Sequence, residues 1–326
     1  MPQARKHQLN LSSTHFYHCI SRCVRRAHLC GKDAVSGTSY EHRRKWVEDR
    51  IARLASVFAI KVCAYAVMHN HTHLVLYVDN KLAEDWDFDE VIRRWHKLFK
   101  GTCLSRKYIQ NPVAVSNSPA ESKTLRETIN IWRSRLQDIS WFMRSLNEYI
   151  ARKANEEDGC TGRFWEGRFK MQALLDETAL LACMVYVDLN PMRAGLSTRP
   201  EASFYTSFKK RFGSKKRGTP PLWLVSFRKS DNPKRGVLPC SHSDYFALVK
   251  QTSKNINKPQ SNSERKNALH EALSINTLFW PEVTQNFEHC FHHAAGGIDT
   301  LTSYVRASGL KRMVDRQSAL RLAASA

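Results

Sequence analysis

The order of the predicted secondary-structure elements, strand–helix–strand–strand and later strand–helix, indicates an α+β fold in which helices pack on an antiparallel sheet. Two segments rich in β-branched and aromatic residues, 59–68 and 70–78, follow one another almost without a gap. They should therefore pair as a tight antiparallel hairpin. Longer segments whose apolar residues recur at helical spacing stand on both sides of this hairpin.

The first hundred residues contain most of the predicted sheet. A short segment near the N-terminus has the aromatic and apolar content of a strand. It is separated from the hairpin by an amphipathic helix whose apolar face carries Ile51 and Leu54. The predicted strands are 15–21, 59–68 and 70–78, and the predicted helices are 40–58 and 87–99.

Helix breakers interrupt the chain after this first part. Pro112 and Pro119 stand among polar residues, so 101–124 is predicted as a loop within an insertion around 101–130. The segment 125–155 then has continuous helical spacing and corresponds to one long helix or to two.

A strand and a helix complete the predicted core. The segment 163–173 follows a glycine-containing turn and is predicted as a strand. Asp176 suits the N-cap of a helix that ends before Pro191.

The composition changes after residue 200. Residues 201–250 hold 11 basic and 3 acidic residues, with proline and glycine between them, and are predicted as a basic linker with few regular elements. Helical spacing returns over 267–317. We therefore expect a principal domain over 1–200, this linker, and a small helical C-terminal module over 251–326.

The chain is strongly basic, with 51 Lys and Arg against 30 Asp and Glu in 326 residues and a net charge of +21. The excess is spread along the whole length. A polyanionic partner is therefore expected, and nucleic acid is the commonest one.

No signal for membrane insertion or secretion is evident. No apolar run approaches the length of about 20 residues that crosses a bilayer, and the N-terminal residues lead into no apolar segment of a signal peptide. The nine cysteines are odd in number and scattered, which fits reduced thiols. We expect a cytoplasmic protein that is associated with the nucleoid.

The segment 67–78 contains a pair of histidines, His71 and His73, within a predicted strand. Side chains two positions apart on a strand point to the same face, so both imidazoles can reach one metal ion. A histidine pair alone is often structural, and further ligands are needed to support a metal site.

Further support comes from the predicted helix that follows Asp176. Tyr186 and Asn190 are four positions apart and therefore share one helical face. Asn190 could supply an oxygen ligand to a site with two histidine nitrogens, which suits Mg²⁺ or Mn²⁺. Tyr186 would then stand one turn from the metal as a nucleophile.

Three motifs in this order resemble those of the single-tyrosine HUH transposases, in particular the REP-associated tyrosine transposase branch. Together they lie within a resemblance that spans roughly residues 10–200. The motifs are Asn-His-Thr-His-Leu at 70–74, Gly-Arg-Phe-Trp-Glu-Gly-Arg-Phe-Lys at 162–170, and Tyr-Val-Asp-Leu-Asn-Pro-Met-Arg-Ala-Gly at 186–195.

The resemblance implies a ferredoxin-like sheet with the histidine pair on a central strand. It implies that His71, His73 and Asn190 hold the divalent metal ion and that Tyr186 is the nucleophile. It also implies a single-stranded DNA substrate, with a hairpin nearby, and a homodimer.

The activity expected from this assignment is transposition of DNA by strand cleavage and transfer. Tyr186 would attack a phosphodiester, leaving a 5′-phosphotyrosine and a free 3′-OH, and the metal would withdraw charge from the phosphate. Because the ordinary pKa of tyrosine is about 10, the metal and nearby cations must favour the phenolate. The alternatives are an HUH nicking endonuclease or replication initiator, and a domesticated DNA-binding protein that no longer cleaves.

Two residues beside the histidine pair depart from the family pattern. Thr72 replaces an apolar residue, and we expect it to face away from the metal side with little effect. His69 stands where the family often has proline. It shares the strand face of His71 and is either a third ligand or a solvated or DNA-facing neighbour.

A basic and aromatic mixture in the second motif suits phosphate contact and base stacking, although its aromatic residues could instead be core. Arg193 could contact a phosphate or cap the end of its helix. Tyr149 is a rival nucleophile, but the residue one turn later is Lys153. The predicted DNA-binding residues are Arg163, Trp165, Arg168, Lys170 and Arg193.

Overall fold

A five-stranded sheet forms the centre of the protein in a computed structural model, which describes residues 9–24, 29–33, 35–217, 221–228, 236–256, 276–310 and 315–322. Its strands are β1 (Phe16–Arg22), β2 (Ile60–Val67), β3 (His71–Val78), β4 (Lys170–Leu174) and β5 (Ala294–Ala295), in the order β2-β3-β1-β4-β5. The first four strands pair antiparallel, whereas β5 is parallel to β4. The prediction of an α+β fold is therefore confirmed, and its purely antiparallel sheet is wrong only for the short edge strand.

In the described part of the connection from β1 to β2 there is one helix, a tight hairpin connects β2 to β3, and six helices lie between β3 and β4. This order is the strand–helix–strand–strand–helix–strand arrangement of ferredoxin-like folds. The helices are α1 (Arg43–Val57), α2 (Asn80–Asp85), α3 (Phe88–His96), α4 (Cys103–Gln110), α5 (Pro112–Ser116), α6 (Pro119–Arg135) and α7 (Ile139–Glu157).

The predicted loop at 101–124 is wrong, because these residues form α4, α5 and the beginning of α6. Pro112 and Pro119 each stand in the first turn of a helix, where the missing backbone N–H has no intrahelical partner to lose. The side chains of Asn111 and Ser118 accept hydrogen bonds from backbone N–H groups and cap these two helices. The prolines therefore start helices here.

The prediction of helix over 125–155 is confirmed, and of the two alternatives the structure has two helices, since α6 ends at Arg135 and α7 begins at Ile139. The strand predicted over 163–173 is shorter than expected and begins only at Lys170. Before it, Trp165 forms an isolated bridge to Cys23 at the end of β1.

The helix after β4 was predicted correctly. It is α8 (Glu177–Asp188), and the Asp176 side chain accepts a hydrogen bond of 2.8 Å from the backbone N–H of Ala179. A short helix, α9 (Asn190–Arg193), continues the chain directly with Pro191 in its first turn.

The two faces of the sheet carry different side chains. Tyr17, Cys19 and Leu74 point into an apolar core that is shared with α1 and α7. On the opposite face, Val75 and Leu174 pack in a second core with α8. The histidines of β3 share this second face, because side chains alternate along a strand.

The residues after 200 contribute to both cores, and most of their buried side chains lie in the second one. They form α10 (Ser207–Arg217), α11 (His242–Ser253), α12 (Trp280–Gln285), α13 (Phe287–Cys290), α14 (Ile298–Ala307) and α15 (Arg316–Leu322). Phe208, Tyr245 and Trp280 are fully buried in the same core as α8. The expectation of few regular elements over 201–250 is therefore wrong for the described residues of that segment.

The division of the chain into a principal domain, a linker and a C-terminal module stays a prediction. Within 267–317, the residues 267–275 and 311–314 lie outside the described part of the chain. Among the residues that the structure describes, no helix is both long enough and apolar enough to cross a bilayer.

A buried carboxylate fixes the end of α8 against the C-terminal helices. Asp188 is fully buried and accepts hydrogen bonds from the Ser207 hydroxyl at 2.5 Å, the Phe208 backbone N–H at 2.8 Å and the Tyr245 hydroxyl at 2.6 Å. Burial raises the pKa of this carboxyl, and these hydrogen bonds oppose the shift. The three donors anchor α10 and α11 on α8.

Replacing Asp188 with alanine should destabilise the protein, because three buried donors lose their acceptor. We expect a loss on the order of 3 kcal/mol in the free energy of unfolding, measured by urea denaturation. Asp49→Ala is the matched control. Its carboxylate is exposed and pairs with Lys45, so it should cost less than about 0.5 kcal/mol. Equal losses in the two variants would contradict this account of Asp188.

Candidate functional site

The two histidines of the motif stand at the beginning of β3 and face α8. In the pairing of β3 with β1, His71 lies opposite Arg22 and His73 lies opposite Ile20. The two imidazole rings are 4.8 Å apart between centroids and nearly perpendicular. His73 is fully buried, whereas His71 is only partly covered at the end of the sheet.

The structure brings Tyr186 and Asn190 to this histidine pair. The Tyr186 ring lies 5.5 Å from the His73 ring between centroids, and the Asn190 side-chain nitrogen lies 2.8 Å from Nε2 of His73. The backbone stays helical from α8 into α9, because the Leu189 N–H bonds to the Val185 carbonyl. The helical spacing that joins Tyr186 and Asn190 therefore persists across the boundary between α8 and α9.

The donor set fits a divalent metal ion. Ligand atoms that share one ion at about 2.1 Å are roughly 3 Å from each other, and the separation between His73 and Asn190 is 2.8 Å. Because amide nitrogen and oxygen occupy nearly equivalent positions, a half-turn of the Asn190 amide presents its oxygen at the same place. On His71, Nδ1 bonds to the Asn70 side-chain oxygen at 2.7 Å, which orients the ring as an outer-shell partner does.

This set of candidate metal ligands depends on the side-chain amide oxygen of Asn190. Among the described residues, no group of three or more His, Cys, Asp or Glu side chains is arranged to hold a metal ion. His69 accordingly joins no such group. Its ring lies beside Gly31, where an added Cβ would come within 2.9 Å of it, and its Nε2 is 3.9 Å from a Glu41 carboxylate oxygen.

Tyr186 is largely buried and its hydroxyl has a carboxylate partner. The hydroxyl donates a hydrogen bond of 2.9 Å to Oε1 of Glu288, which lies on α13. Burial and then the charge of Glu288 raise the pKa of Tyr186 well above its ordinary value, and Arg193 opposes this shift. The protein without metal therefore holds Tyr186 as a protonated phenol.

Glu288 was not identified from the sequence. It stands 102 residues from Tyr186, on a four-residue helix with no recognisable motif. The same carboxylate oxygen lies 3.9 Å from Nε2 of His73. The C-terminal residues thus contribute an acidic group to the centre of the candidate site.

Arg193 has an internal position. Its guanidinium donates to the Tyr186 carbonyl at 2.8 Å and to the Thr284 carbonyl at 3.0 Å, and it lies 4.1 Å from the centroid of the Tyr186 ring. Burial lowers its pKa to about 10. The guanidinium thus caps the last turn of α8, and its predicted contact with DNA stays a prediction.

The other predicted DNA-binding residues lie near the end of β1. Arg163, Arg168 and Lys170 are exposed. Lys170 pairs with Ile20 from the side opposite His73, so it lies in the same row of the sheet. Trp165 instead packs on the apolar core and donates from its indole nitrogen to the Asn147 carbonyl at 2.8 Å.

Two further sequence interpretations can be compared with the structure. Thr72 is buried on the sheet face opposite to the histidines, as its alternation along β3 predicts, and its hydroxyl oxygen has no hydrogen-bond partner among the described residues. Tyr149 is 39% exposed and lies on α7, which covers the face of the sheet opposite to the histidines. The structure thus separates Tyr149 from His71 and His73.

A chain of hydrogen bonds runs from His73 into the interior. Nδ1 of His73 is 3.0 Å from Nε2 of His18, and Nδ1 of His18 is 2.7 Å from Oε1 of Gln172. The nitrogen of the Gln172 amide donates to the Phe291 carbonyl. The sequence motifs did not include His18 or Gln172, because only the register of β1 with β3 and β4 brings them together.

Burial lowers the pKa of all three histidines. It lowers the pKa of His71 to about 4, with the positive charge of Arg22 as the second cause. The pKa values of His18 and His73 are lowered in the same direction, and burial is again the main cause. The rings are therefore neutral at neutral pH, which is the form that can ligate a metal ion.

Among solved structures, one described as a REP-associated tyrosine transposase bound to a REP hairpin aligns with 73% of this chain and 97% of its own, at 12% sequence identity and a TM-score of 0.37. No family model matches the chain. No curated protein matches it either.

The lowered pKa of His71 makes the fold sensitive to acid. Between pH 6.5 and about 4 the unfolded chain binds a proton at this residue that the folded chain excludes. Stability therefore falls as the pH drops through this range. For His71 alone we expect a loss on the order of 2 kcal/mol between pH 7.5 and 5, measured by urea unfolding.

His71→Gln tests the assignment, because glutamine does not titrate. The variant should lose about that part of the pH dependence, while the part due to His18 and His73 remains. An identical pH dependence in the variant and in the unchanged protein would show that His71 is not the residue responsible.

Proposed function

We propose that this protein is a transposase that cuts and rejoins single-stranded DNA through a covalent bond between Tyr186 and a 5′ phosphate. The observation that carries the proposal is the convergence of His71 and His73 on β3 with Tyr186 and Asn190 on α8 and α9. The net charge of +21 supports a nucleic-acid substrate.

The residues of the site have defined tasks in such a reaction. The Tyr186 hydroxyl oxygen attacks the phosphorus, an O–P bond forms, and the bond from phosphorus to the 3′ oxygen breaks. The phenol proton passes to Oε1 of Glu288, which already accepts its hydrogen bond. The departing 3′ oxygen takes a proton from water. The phosphotyrosine bond conserves the energy of the phosphodiester, so attack by a 3′-OH reverses the sequence without ATP.

We propose that His71, His73 and Asn190 hold a divalent ion, Mg²⁺ or Mn²⁺. When bound, the ion withdraws charge from the scissile phosphate and orients it. The neutral state of both histidines suits this role, because only an unprotonated ring nitrogen can bind a metal.

Exposed cations surround the open end of the site and would guide the strand to it. Arg22 lies opposite His71, and Lys170 lies in the row of His73, both exposed. Arg163 and Arg168 extend this basic surface along the segment before β4. Together they favour contacts with the phosphate backbone.

The remaining parts of the proposal are expectations from the sequence. The resemblance of its motifs to those of the single-tyrosine HUH transposases implies a DNA hairpin near the cleaved strand and a homodimer as the working form, and we further propose a cytoplasmic location at the nucleoid. An enzyme that nicks DNA without moving an element would use the same first step. It differs only in lacking transfer of the cut strand to a new 3′-OH.

Tyr186→Phe should abolish the covalent protein–DNA adduct, because phenylalanine has no nucleophilic oxygen. The assay uses a labelled single-stranded hairpin oligonucleotide with Mn²⁺ and a denaturing gel. Tyr149→Phe is the matched control and should keep the adduct, since Tyr149 lies on α7, on the opposite side of the sheet. His71→Ala should also lose the adduct, because it removes one of the proposed metal ligands.

Retention of the adduct in Tyr186→Phe would disprove the assignment of the nucleophile. Adding an acceptor oligonucleotide with a free 3′-OH separates the two enzymatic alternatives. Transfer of the label to the acceptor supports the transposase, whereas an adduct without transfer supports the nicking enzyme.

Glu288→Gln should slow cleavage by about 100-fold or more, because the phenol loses its proton acceptor. Binding of DNA should stay equal or become tighter, since a negative charge is removed beside the phosphate. Glu282→Gln is the matched control, because that carboxylate pairs with Arg321 away from Tyr186. Single-turnover rates and binding titrations measure the two effects, and an unchanged rate in Glu288→Gln would exclude the role of proton acceptor.

A further inference from the structure

We propose that Gln172 and His18 are positioning residues that fix the tautomer of His73, with the proton on Nδ1 and the lone pair of Nε2 directed at the site. The purpose of this arrangement rests on the proposed function. The tautomer itself follows from hydrogen-bond chemistry, and it can be tested in the protein without metal or DNA.

The first step is the orientation of the Gln172 amide. Its partner on one side is the Phe291 backbone carbonyl, which can only accept a hydrogen bond. The amide nitrogen of Gln172 must therefore face this carbonyl. Its oxygen, Oε1, is then left facing His18 at 2.7 Å.

The second step fixes the proton of His18. An amide oxygen can only accept, so Nδ1 of His18 must carry the proton in this hydrogen bond. His18 is fully buried, and no acidic side chain lies within ion-pairing distance of it in the described part of the chain. A neutral ring with its proton on Nδ1 has a bare Nε2.

The third step fixes the position of the proton on His73. Its Nδ1 lies 3.0 Å from the bare Nε2 of His18, and the two rings are nearly parallel. Nδ1 of His73 must therefore donate, and its Nε2 is left with a lone pair. This lone pair faces the Asn190 side chain at 2.8 Å, where the metal ion of the proposed function would lie.

Without this arrangement a neutral histidine can carry its proton on either ring nitrogen. The tautomer with the proton on Nε2 would block that atom as a ligand. Outer-shell partners commonly orient metal-binding histidines in this way. Here the hydrogen-bond chain is long. It passes from His73 through a second histidine, His18, and the Gln172 amide to the backbone carbonyl of Phe291.

The test is the ring ¹⁵N spectrum of the full-length protein, labelled at histidine and free of metal. Long-range proton–nitrogen correlations distinguish a protonated from a bare ring nitrogen, and His73→Gln identifies the signals. We expect a protonated Nδ1 and a bare Nε2 for His73. A protonated Nε2 would overturn the proposal, and this result is read from the unchanged protein, with the variant used only to assign the signals.

Gln172→Met removes the hydrogen bonds of the amide at nearly constant volume, and the two tautomers of His73 should then mix. The affinity of the Gln172→Met protein for Mn²⁺, without DNA, should fall by about 10-fold. Gln110→Met is the matched control at an exposed glutamine, and neither the tautomer nor the affinity should change. A fixed Nδ1 proton in folded Gln172→Met would overturn the role of Gln172.

These outcomes are independent of DNA cleavage. The predicted tautomer without a Tyr186 adduct would refute the proposed function and leave the positioning role intact. An adduct formed by a protein whose His73 carries its proton on Nε2 would refute the positioning role and leave the function intact.

Discussion

The burial of helix α8 between the sheet and the C-terminal helices is the constraint on which the rest of the structure depends. Ten of its twelve residues are buried, and a helix that is apolar on all sides needs partners on all sides. The sheet supplies one partner, and the segments that contain Phe208, Tyr245 and Trp280 supply the other. Since α8 carries Tyr186 and leads into Asn190, residues beyond 200 determine where the reactive groups stand.

The same burial sets the charge state of the site. It favours neutral histidines, so the candidate ligands are ready for a metal ion at neutral pH. It also disfavours the phenolate of Tyr186, and Glu288 adds to that effect while Arg193 opposes it. The sequence-based expectation that the metal and nearby cations favour the phenolate did not include the opposing effects of burial and Glu288. In the proposed reaction the proton leaves as the O–P bond forms, and an acceptor in contact with the hydroxyl makes that step direct.

The sequence predicted the parts of the fold and site that depend on local periodicity. A separation of two residues puts His71 and His73 on one face of a strand. A separation of four residues puts Tyr186 and Asn190 on one face of a helix. Composition alone was misleading at 101–124, because proline breaks a helix in its interior but suits its first turn. Deciding between these outcomes required the caps at Asn111 and Ser118 to be recognised.

The partners of the motif residues could not be predicted, because they depend on tertiary structure. His18 and Gln172 meet through the pairing of strands that are 154 residues apart in the chain. Glu288 reaches Tyr186 only because the C-terminal chain folds back over the sheet. None of the three has a local pattern that distinguishes it from an ordinary core or surface residue.

The position of Glu288 is unfavourable for the proposed substrate, since its carboxylate and a DNA phosphate repel each other. Arg22 and Lys170 at the rim and the guanidinium of Arg193 over the Tyr186 ring offset this repulsion. In the proposed reaction this carboxylate accepts the phenol proton, and that role accounts for its position. Three residues later, the Phe291 backbone carbonyl of the same segment holds the Gln172 amide that orients His18 and His73. One short C-terminal segment thus bears on both the nucleophile and a proposed metal ligand, which makes it a component of the site.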